Sequence, residues 1–345
     1  MTAAVTGAAG HVGASLARGL LASGENVRLL VHEDTRALEG LKADRVPADL
    51  RDPDSLCSAF QGADIVYHLA ASISLDRRHK DEMRRVNIEG TRNVIRACRD
   101  CSVRRLVHFS SIEALSDLYS LKPTDESNPL AGPAGTTTYG WTKAESECLV
   151  LKAVEDGLDA VILSPTAILG PHDFKPSHLG RALLDLYHNR LPVLIPGGFN
   201  WVDVRDVAEA ALSAGGKARS GERYILSGTW KSLAQMAALV GAISDRDGYR
   251  PILPGWMARA AAGIAGKVPG LSSRYPAFTP DALIAIGKHR EISCAKAERE
   301  LNYAPRPLEQ TLRDTFRWFE EQGFLLPRAR KSTTGGRVAS DRKES

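Results

Sequence analysis

The chain has 345 residues, 43% of them hydrophobic and 25% charged, an ordinary globular composition that excludes collagenous, coiled-coil and wholly disordered architectures. At about 150 residues per domain, the length holds two domains or one large α/β unit with an appended lobe. The net charge is +4, from 45 Lys and Arg against 41 Asp and Glu. Residues 327–345 alone hold six of those cations and two of the acids, so the body is neutral and offers no basic face of the kind nucleic acid requires.

No run of about 18 apolar residues occurs, so no membrane span is expected. The most apolar late stretch, 252–268, is broken by Pro254, Arg259 and Lys267. A strand is predicted at 3–5, followed by glycines at 7, 10 and 13 and a helix over 11–22 with Val12, Leu16 and Leu20 on one face. Residues 27–31 form a continuous apolar-rich strand, as in a parallel sheet covered on both sides. A weaker strand at 45–48 precedes a helix over 53–60 capped by Asp52. A strand at 65–69, a long helix over 80–101 and a strand at 104–109 come next. This alternation predicts a doubly wound parallel sheet with right-handed crossovers.

A helix over 137–156 and a strand at 160–163 complete the first half. Beyond Pro165 the sequence is richer in Pro and Gly, and helices are expected near 176–189, 204–214, 232–244, 280–287, 294–301 and 307–321. Ser232 and Gln235 have the spacing of a capping box. The expected fold class is therefore α/β: a Rossmann domain over 1–166, then a smaller, mostly helical C-terminal substrate lobe over 167–326 whose strands are free to return to the first sheet. The tail 327–345 lacks apolar periodicity and reads as disordered and solubilising. The apolar segment 252–265 reads as a core helix of the lobe, with a surface-seeking amphipathic segment as the alternative.

Thr6-Gly7-Ala8-Ala9-Gly10-His11-Val12-Gly13 lies between the first strand and the first helix. A tight turn there needs glycine, close approach of a phosphate needs no Cβ, and the helix N-terminus offers free N–H groups to a pyrophosphate. A Gly-rich turn of no further purpose is the alternative, but the strand–turn–helix context is what a dinucleotide site requires. At the end of the second strand, Val31 occupies the position where an acid would accept a ribose 2′-OH. His32 and Arg36 suit a 2′-phosphate, while Glu33 and Asp34 oppose it. The balance favours NADP(H), with NAD(H) the alternative.

Tyr139 and Lys143 are four apart and share one helix face. An ammonium beside a phenol favours the phenolate, so the pair suits proton transfer in carbonyl/alcohol interconversion. Ser110 and Ser111 end a strand, where ligands bind in open α/β sheets. The five cysteines, at 57, 98, 101, 148 and 294, are odd in number, and no secretory signal precedes the first motif. This suggests a reducing cytoplasm. Cys98 and Cys101 form one C-x-x-C with no second Cys/His pair, so no metal is expected.

These motifs resemble the extended short-chain dehydrogenase/reductases, the NAD-dependent epimerase/dehydratase family, whose turn reads TGxxGxxG. Asp49-Leu50 resembles the adenine-contacting pair of that family, His68-Leu69-Ala70-Ala71 its HxAA segment, and Asn87-Ile88-Glu89-Gly90-Thr91 its NxxGT signature. The resemblance covers about residues 3–322. It implies cofactor contacts from Thr6, Gly7, Ala9, Gly10, His11, Val12, Gly13, Asp49, Leu50, Leu69, Ala70, Ala71, Asn87, Tyr139, Lys143, Pro165 and Thr166. It implies Ser111 as the hydroxyl that polarises the substrate carbonyl, with Ser110 the fallback, Tyr139 as the acid/base, and Lys143 as the group that lowers the tyrosine pKa and holds the nicotinamide ribose. Ser164 stands where the family commonly has Arg before Pro165.

The segment 196–208 resembles the dihydroflavonol reductase-like and 3β-hydroxysteroid dehydrogenase-like branch. Its Gly198-Phe199-Asn200-Trp201 stretch is uncharged where sugar-nucleotide enzymes place an Arg for a diphosphate. Phe199 and Asn200, with Ser111, are the implied substrate contacts. His172 and His178 read as solvated loop residues, with a place in the cleft as the alternative. The resulting expectation is an oxidoreductase acting on a small, relatively apolar carbonyl or secondary alcohol. It is weighed against a sugar-nucleotide epimerase or dehydratase with retained NAD and against a non-catalytic dinucleotide-binding regulator. A homodimer is implied by the resemblance, and no nucleic-acid partner is expected.

Overall fold

The central strands are apolar at nearly every position, and the computed structural model buries them on both faces. It describes residues 1–32, 34–116, 123–246, 248–265, 279–287 and 291–325; Glu33 and the tail at 327–345 lie outside these. The first half runs β1 Thr2–Thr6, α1 His11–Ala22, β2 Asn26–Val31, β3 Asp44–Pro47, α2 Pro53–Phe60, β4 Ile65–His68, α3 Lys80–Met83, α4 Gly90–Asp100, β5 Arg105–Phe109, α5 Thr138–Glu155 and β6 Ala160–Pro165. The second half runs β7 Ala167–Leu169, α6 His178–Tyr187, β8 Gly198–Asp203, α7 Val204–Lys217, β9 Arg223–Leu226, β10 Thr229–Ser232, α8 Leu233–Ser244, α9 Gly255–Ala265, α10 Pro280–Gly287, α11 Ala295–Leu301 and α12 Leu308–Glu321.

Seven parallel strands form the main sheet in the order β3-β2-β1-β4-β5-β6-β9. The order reverses between β1 and β4, and ligands bind at such a switch point beyond the strands' carboxyl ends. One core layer packs α1 and α7 on the sheet through Leu16, Leu20, Val207 and Ala211. The other packs α2, α4 and α5 through Leu56, Val94 and Val150. Asp52 caps α2 through its side chain, and Ser232 with Gln235 forms the capping box of α8, both as the sequence predicts.

The helix predicted over 80–101 contains a π-helical turn, Arg84–Glu89, between α3 and α4. Such turns recur where a helix must re-aim a side chain, and this one carries Asn87. Four strands of the second half were not read from sequence. They are three to six residues long and lie among Pro and Gly, too short for a period-2 pattern. β9 returns to the main sheet beside β6, while β10, β8 and β7 form a second, three-stranded sheet. Aromatic rings fill the core beneath the small sheet: Phe174 meets Trp318 edge-on at 5.1 Å and Tyr187 meets Phe316 at 5.2 Å. Segment 252–265 is a core helix on one face only. Ala258 and Ala262 are buried, while Trp256 is 67% exposed.

Candidate active site in the Rossmann cleft

The turn after β1 is built by its glycines. Gly7 has φ +68°, and a Cβ there would lie 2.6 Å from the Ala70 nitrogen. A Cβ on Gly13 would lie 2.2 Å from the Gly7 carbonyl, so only glycine lets α1 start this close to the turn. Gly10 N–H donates to the Gly7 carbonyl (3.0 Å), and Gly10 is the N-cap of α1. No side chain caps that helix and no acid stands in its first turn, so its N–H groups face the cleft as an anion site. This cradle fits a dinucleotide pyrophosphate. Ala9 and Val12 pack on the core edge, and the His11 ring bonds the Pro171 carbonyl at 2.9 Å. Ser15 meets His172 Nδ1 at 2.9 Å, and burial pushes the His172 imidazole down to about 4. His172 therefore closes over α1 and is not a solvated loop residue.

The Thr6 hydroxyl ties β1 to the segment after β4. It accepts from the backbone N–H of Leu69 and of Ala70 (3.2 Å each) and meets His68 Nδ1 at 2.9 Å. Ala71 continues that segment to Ser72. Asn87 then clamps it: Oδ1 accepts from Ser72 N (2.8 Å), while Nδ2 donates to the Ser72 carbonyl and the Thr142 hydroxyl (2.9 Å each). Gly90 sits against Leu50, where a Cβ would come within 2.9 Å. The Thr91 hydroxyl meets His68 Nε2 at 3.1 Å. Each fixed residue of the Asn87–Thr91 motif thus holds a wall of the cleft to the helix behind it.

At the end of β2, the two basic side chains read as a 2′-phosphate site lie against acids. Arg36 bonds Asp34 at 2.6 Å, and His32 lies 3.5 Å from Asp49. Arg51 also pairs with Asp49, and holds its carboxyl down to about 2.

The three residues read as catalytic meet beyond β5. Ser111 caps the short turn after the strand, its Oγ accepting from Glu113 N at 3.2 Å. Tyr139 lies in the first turn of α5, close enough to Ser111 for that side chain to act on its phenol. Gly140 permits this approach, since a Cβ there would lie 2.5 Å from the Glu113 carbonyl. Burial pushes the Tyr139 phenol up to about 12; Ser111 works against this and the Glu113 carboxylate adds to it. Lys143 is buried one turn on, and its Nζ donates to the Phe109 carbonyl. Burial lowers its ammonium to about 8, with Glu147 opposing the shift. Lys143 does not figure among the groups acting on Tyr139 in this geometry. Ser110 points elsewhere and donates to Glu147.

Pro165 ends β6, and the Thr166 N–H donates to the Leu226 carbonyl (3.1 Å). Asn200 is buried; its Oδ1 accepts from Gly228 N (2.7 Å) and from the Thr166 hydroxyl (3.2 Å), so its side chain braces strand ends. Phe199 is partly buried, edge-on to Trp201 at 5.3 Å. Sequence reasoning missed Asp281, which is fully buried at the start of α10. Its carboxylate accepts from Thr138 N (2.8 Å) at the head of α5 and pairs with Arg77 (2.6 Å). Glu147 was also missed, although it continues the four-residue spacing from Tyr139 and Lys143. Among the described residues, no group of three or more His, Cys, Asp or Glu is placed to hold a metal, and no helix is long and apolar enough to cross a membrane.

Known proteins are similar to this chain in sequence and fold. The model of the NAD dependent epimerase/dehydratase family matches residues 3–226. Sterol demethylase protein B of Methylococcus capsulatus is 35% identical over 335 residues, 94% of this chain and 100% of that protein. The 3beta-hydroxysteroid-dehydrogenase/decarboxylase isoform 1 of Arabidopsis thaliana is 31% identical over 314 residues, 82% of this chain and 69% of that protein. The crystal structure of gox2253 superposes with a TM-score of 0.82 at 32% identity, covering 93% of this chain and 98% of that one. With its glycine turn at a sheet switch point and these relatives along nearly its whole length, the chain belongs to the NAD dependent epimerase/dehydratase family, as an oxidoreductase of the extended short-chain dehydrogenase/reductase type.

Proposed function

We propose that the chain interconverts a ketone and a secondary alcohol on an apolar, ring-containing substrate of the sterol class, with Ser111, Tyr139 and Lys143 as its catalytic residues. The observation that carries this reading is the meeting of Ser111, just beyond the carboxyl end of β5, with Tyr139 on α5, and Lys143 one helical turn behind, bonded to the Phe109 carbonyl of the same strand. A bound nicotinamide supplies or accepts the hydride. With its phenol held at about 12, Tyr139 is protonated at neutral pH and ready to give that proton to a carbonyl oxygen. Ser111 donates a hydrogen bond to the same oxygen. With a nicotinamide bound, Lys143 would hold its ribose, and the ammonium charge would support Tyr139 as the proton acceptor in the reverse direction. The apolar Phe199 and Trp201, and the names of the sterol-processing relatives, support an uncharged ring substrate; no cation stands in 198–201 to hold a diphosphate.

The test is nicotinamide-linked oxidation of a 3β-hydroxysteroid, followed by absorbance. Tyr139→Phe is expected to lose about 10²- to 10⁴-fold in kcat while keeping cofactor affinity. Turnover near the wild-type rate in that variant would refute the assignment of Tyr139. Turnover of a nucleotide sugar with firmly retained NAD would replace the reading with an epimerase.

The finer cofactor preference, NADP(H) over NAD(H), rests on His32 and Arg36, and it requires Arg36 to leave Asp34 for a 2′-phosphate. Thermal stabilisation by the four nucleotides at matched concentrations tests this. A larger shift with the phosphorylated pair supports it, and an NAD(H) preference shows that Asp34 and Asp49 prevail. The proposed homodimer is tested by sedimentation.

A further inference from the structure

The helix that carries Tyr139 and Lys143 presents Glu147 on the same face, one further turn along. Glu147 is 0% exposed, and a lone carboxylate there would be costly. Its surroundings hold it: Ser110 Oγ donates to Oε2, and Arg223 Nε on β9 lies 2.7 Å from Oε1. Arg223 is itself anchored, its Nη1 donating to the Glu126 carbonyl at 3.1 Å. The proton transfer described above uses none of Glu147, Ser110 and Arg223.

We propose that Glu147 is a positioning residue for the reaction: its buried carboxylate, clamped by Arg223 and Ser110, keeps Lys143 a cation in the cleft and withdraws Ser110 so that Ser111 alone serves the substrate oxygen. This rests on the reading of Ser111, Tyr139 and Lys143 as the catalytic set. Lys143 is 4% exposed, and burial favours its neutral amine. Around it stand Tyr139 one turn back, Glu147 one turn ahead, His68 on β4 and His108 on β5. Burial and the Lys143 charge drive both imidazoles neutral, His68 to about 3 and His108 well below its ordinary value. Arg223 reaches Glu147 from β9, and Glu113 acts on Tyr139 from the turn after β5. Among the described residues, Glu147 is therefore the acid that acts on Lys143; burial pushes its own carboxyl up, while Arg223, Ser110 and the Lys143 charge work to keep it ionised. Without it, the remaining surroundings favour a neutral amine, which lends a phenolate no charge.

The hydroxyl pair is divided by the same contact. Ser110 spends its proton on Glu147. Ser111 accepts from Glu113 N and acts on the Tyr139 phenol, so it is the hydroxyl of the pair on the Tyr139 side.

The test is a pH titration of Lys143 in protein labelled with ¹³C-lysine, read by NMR and assigned by loss of the signal in Lys143→Met. In the wild type Lys143 is expected to be cationic at pH 7 with a midpoint near 8. Glu147→Gln is expected to move the midpoint down by roughly one pH unit or more, and Glu147→Asp to restore most of it. An unchanged midpoint in folded Glu147→Gln overturns the proposal. So does a Lys143 already neutral at pH 7 in the wild type, a result that needs no variant of Glu147 to fold. In the 3β-hydroxysteroid assay, the kcat–pH profile of Glu147→Gln is expected to shift with the lysine midpoint. A fully active Tyr139→Phe would remove the catalytic reading, while the titration would still decide whether Glu147 sets the charge of Lys143.

Discussion

The glycine-turn end of the cleft and its proposed substrate end are held by different kinds of contact. Between residues 6 and 13 the turn closes on its own backbone, with Gly10 bonded to Gly7 and Gly13 lying flush against Gly7 and Ala8. At the proposed substrate end, the head of α5 is held by Asp281, 143 residues further along the chain, which also reaches back to Arg77. The first construction depends on small residues at set spacings. The second depends on one buried carboxylate arriving from a distant helix. The turn needs only its own residues, whereas the head of α5 needs α10 in place.

The largest expected effect falls between the two ends, at Lys143. Its midpoint of about 8 lies below the ordinary 10.5, so folding disfavours its ionised form. That cost is present in full below pH 8 and is relieved as pH rises from 8 to 10.5, where the unfolded chain also gives up the proton. Lys143→Met is therefore expected to be more stable than the wild type by up to roughly 3 kcal/mol at pH 7. Denaturant titrations at several pH values should show that gap closing toward pH 10.5; a pH-independent gap would contradict it.

Gly13→Ala breaks the first end. Its new Cβ would press on the Gly7 carbonyl, and the expected loss is about 2 kcal/mol together with the stabilisation given by nicotinamide nucleotides. An intact thermal shift in this variant would mean that the turn does not receive the cofactor.

Asp281→Ala breaks the second end. It strips the partner from Thr138 N and from Arg77, and the expected loss is about 1–2 kcal/mol, kept small because Arg77 is largely exposed. KM for the steroid probe should rise while nucleotide-induced stabilisation stays at the wild-type value. Loss of both would show that the two ends are not separable. The smallest effect belongs to the outer face of α9: Trp256→Ser should change stability by less than about 0.5 kcal/mol, measured by the same denaturant titration.

Much of the first half was legible from sequence because its signals are local. The alternation of apolar strand and amphipathic helix set the sheet, Asp52 marked the start of α2, and the spacing of Tyr139 and Lys143 placed both on one helix face. The motif around Asn87 was visible as a pattern, but its work as a clamp on Ser72 and Thr142 became visible only in three dimensions. Glu147 was within reach of the same spacing argument and was passed over, since a glutamate on a helix more often faces water. The short strands of the second half gave too few residues for a period, and β9 gave no sign that it would join the first sheet.

By itself the sequence determined the glycine turn, the order of the first six strands, and the residue types placed at the strand ends. Those follow from steric and periodic rules that act over a few residues. Only the tertiary structure decided which hydroxyl faces Tyr139, which acid neighbours Lys143, and which lobe residue pins the catalytic helix. Each of these depends on burial and on partners far apart in the chain. A carboxylate at 147, 281 or 309 becomes a clamp, a latch or a solvated surface group according to what the fold packs against it.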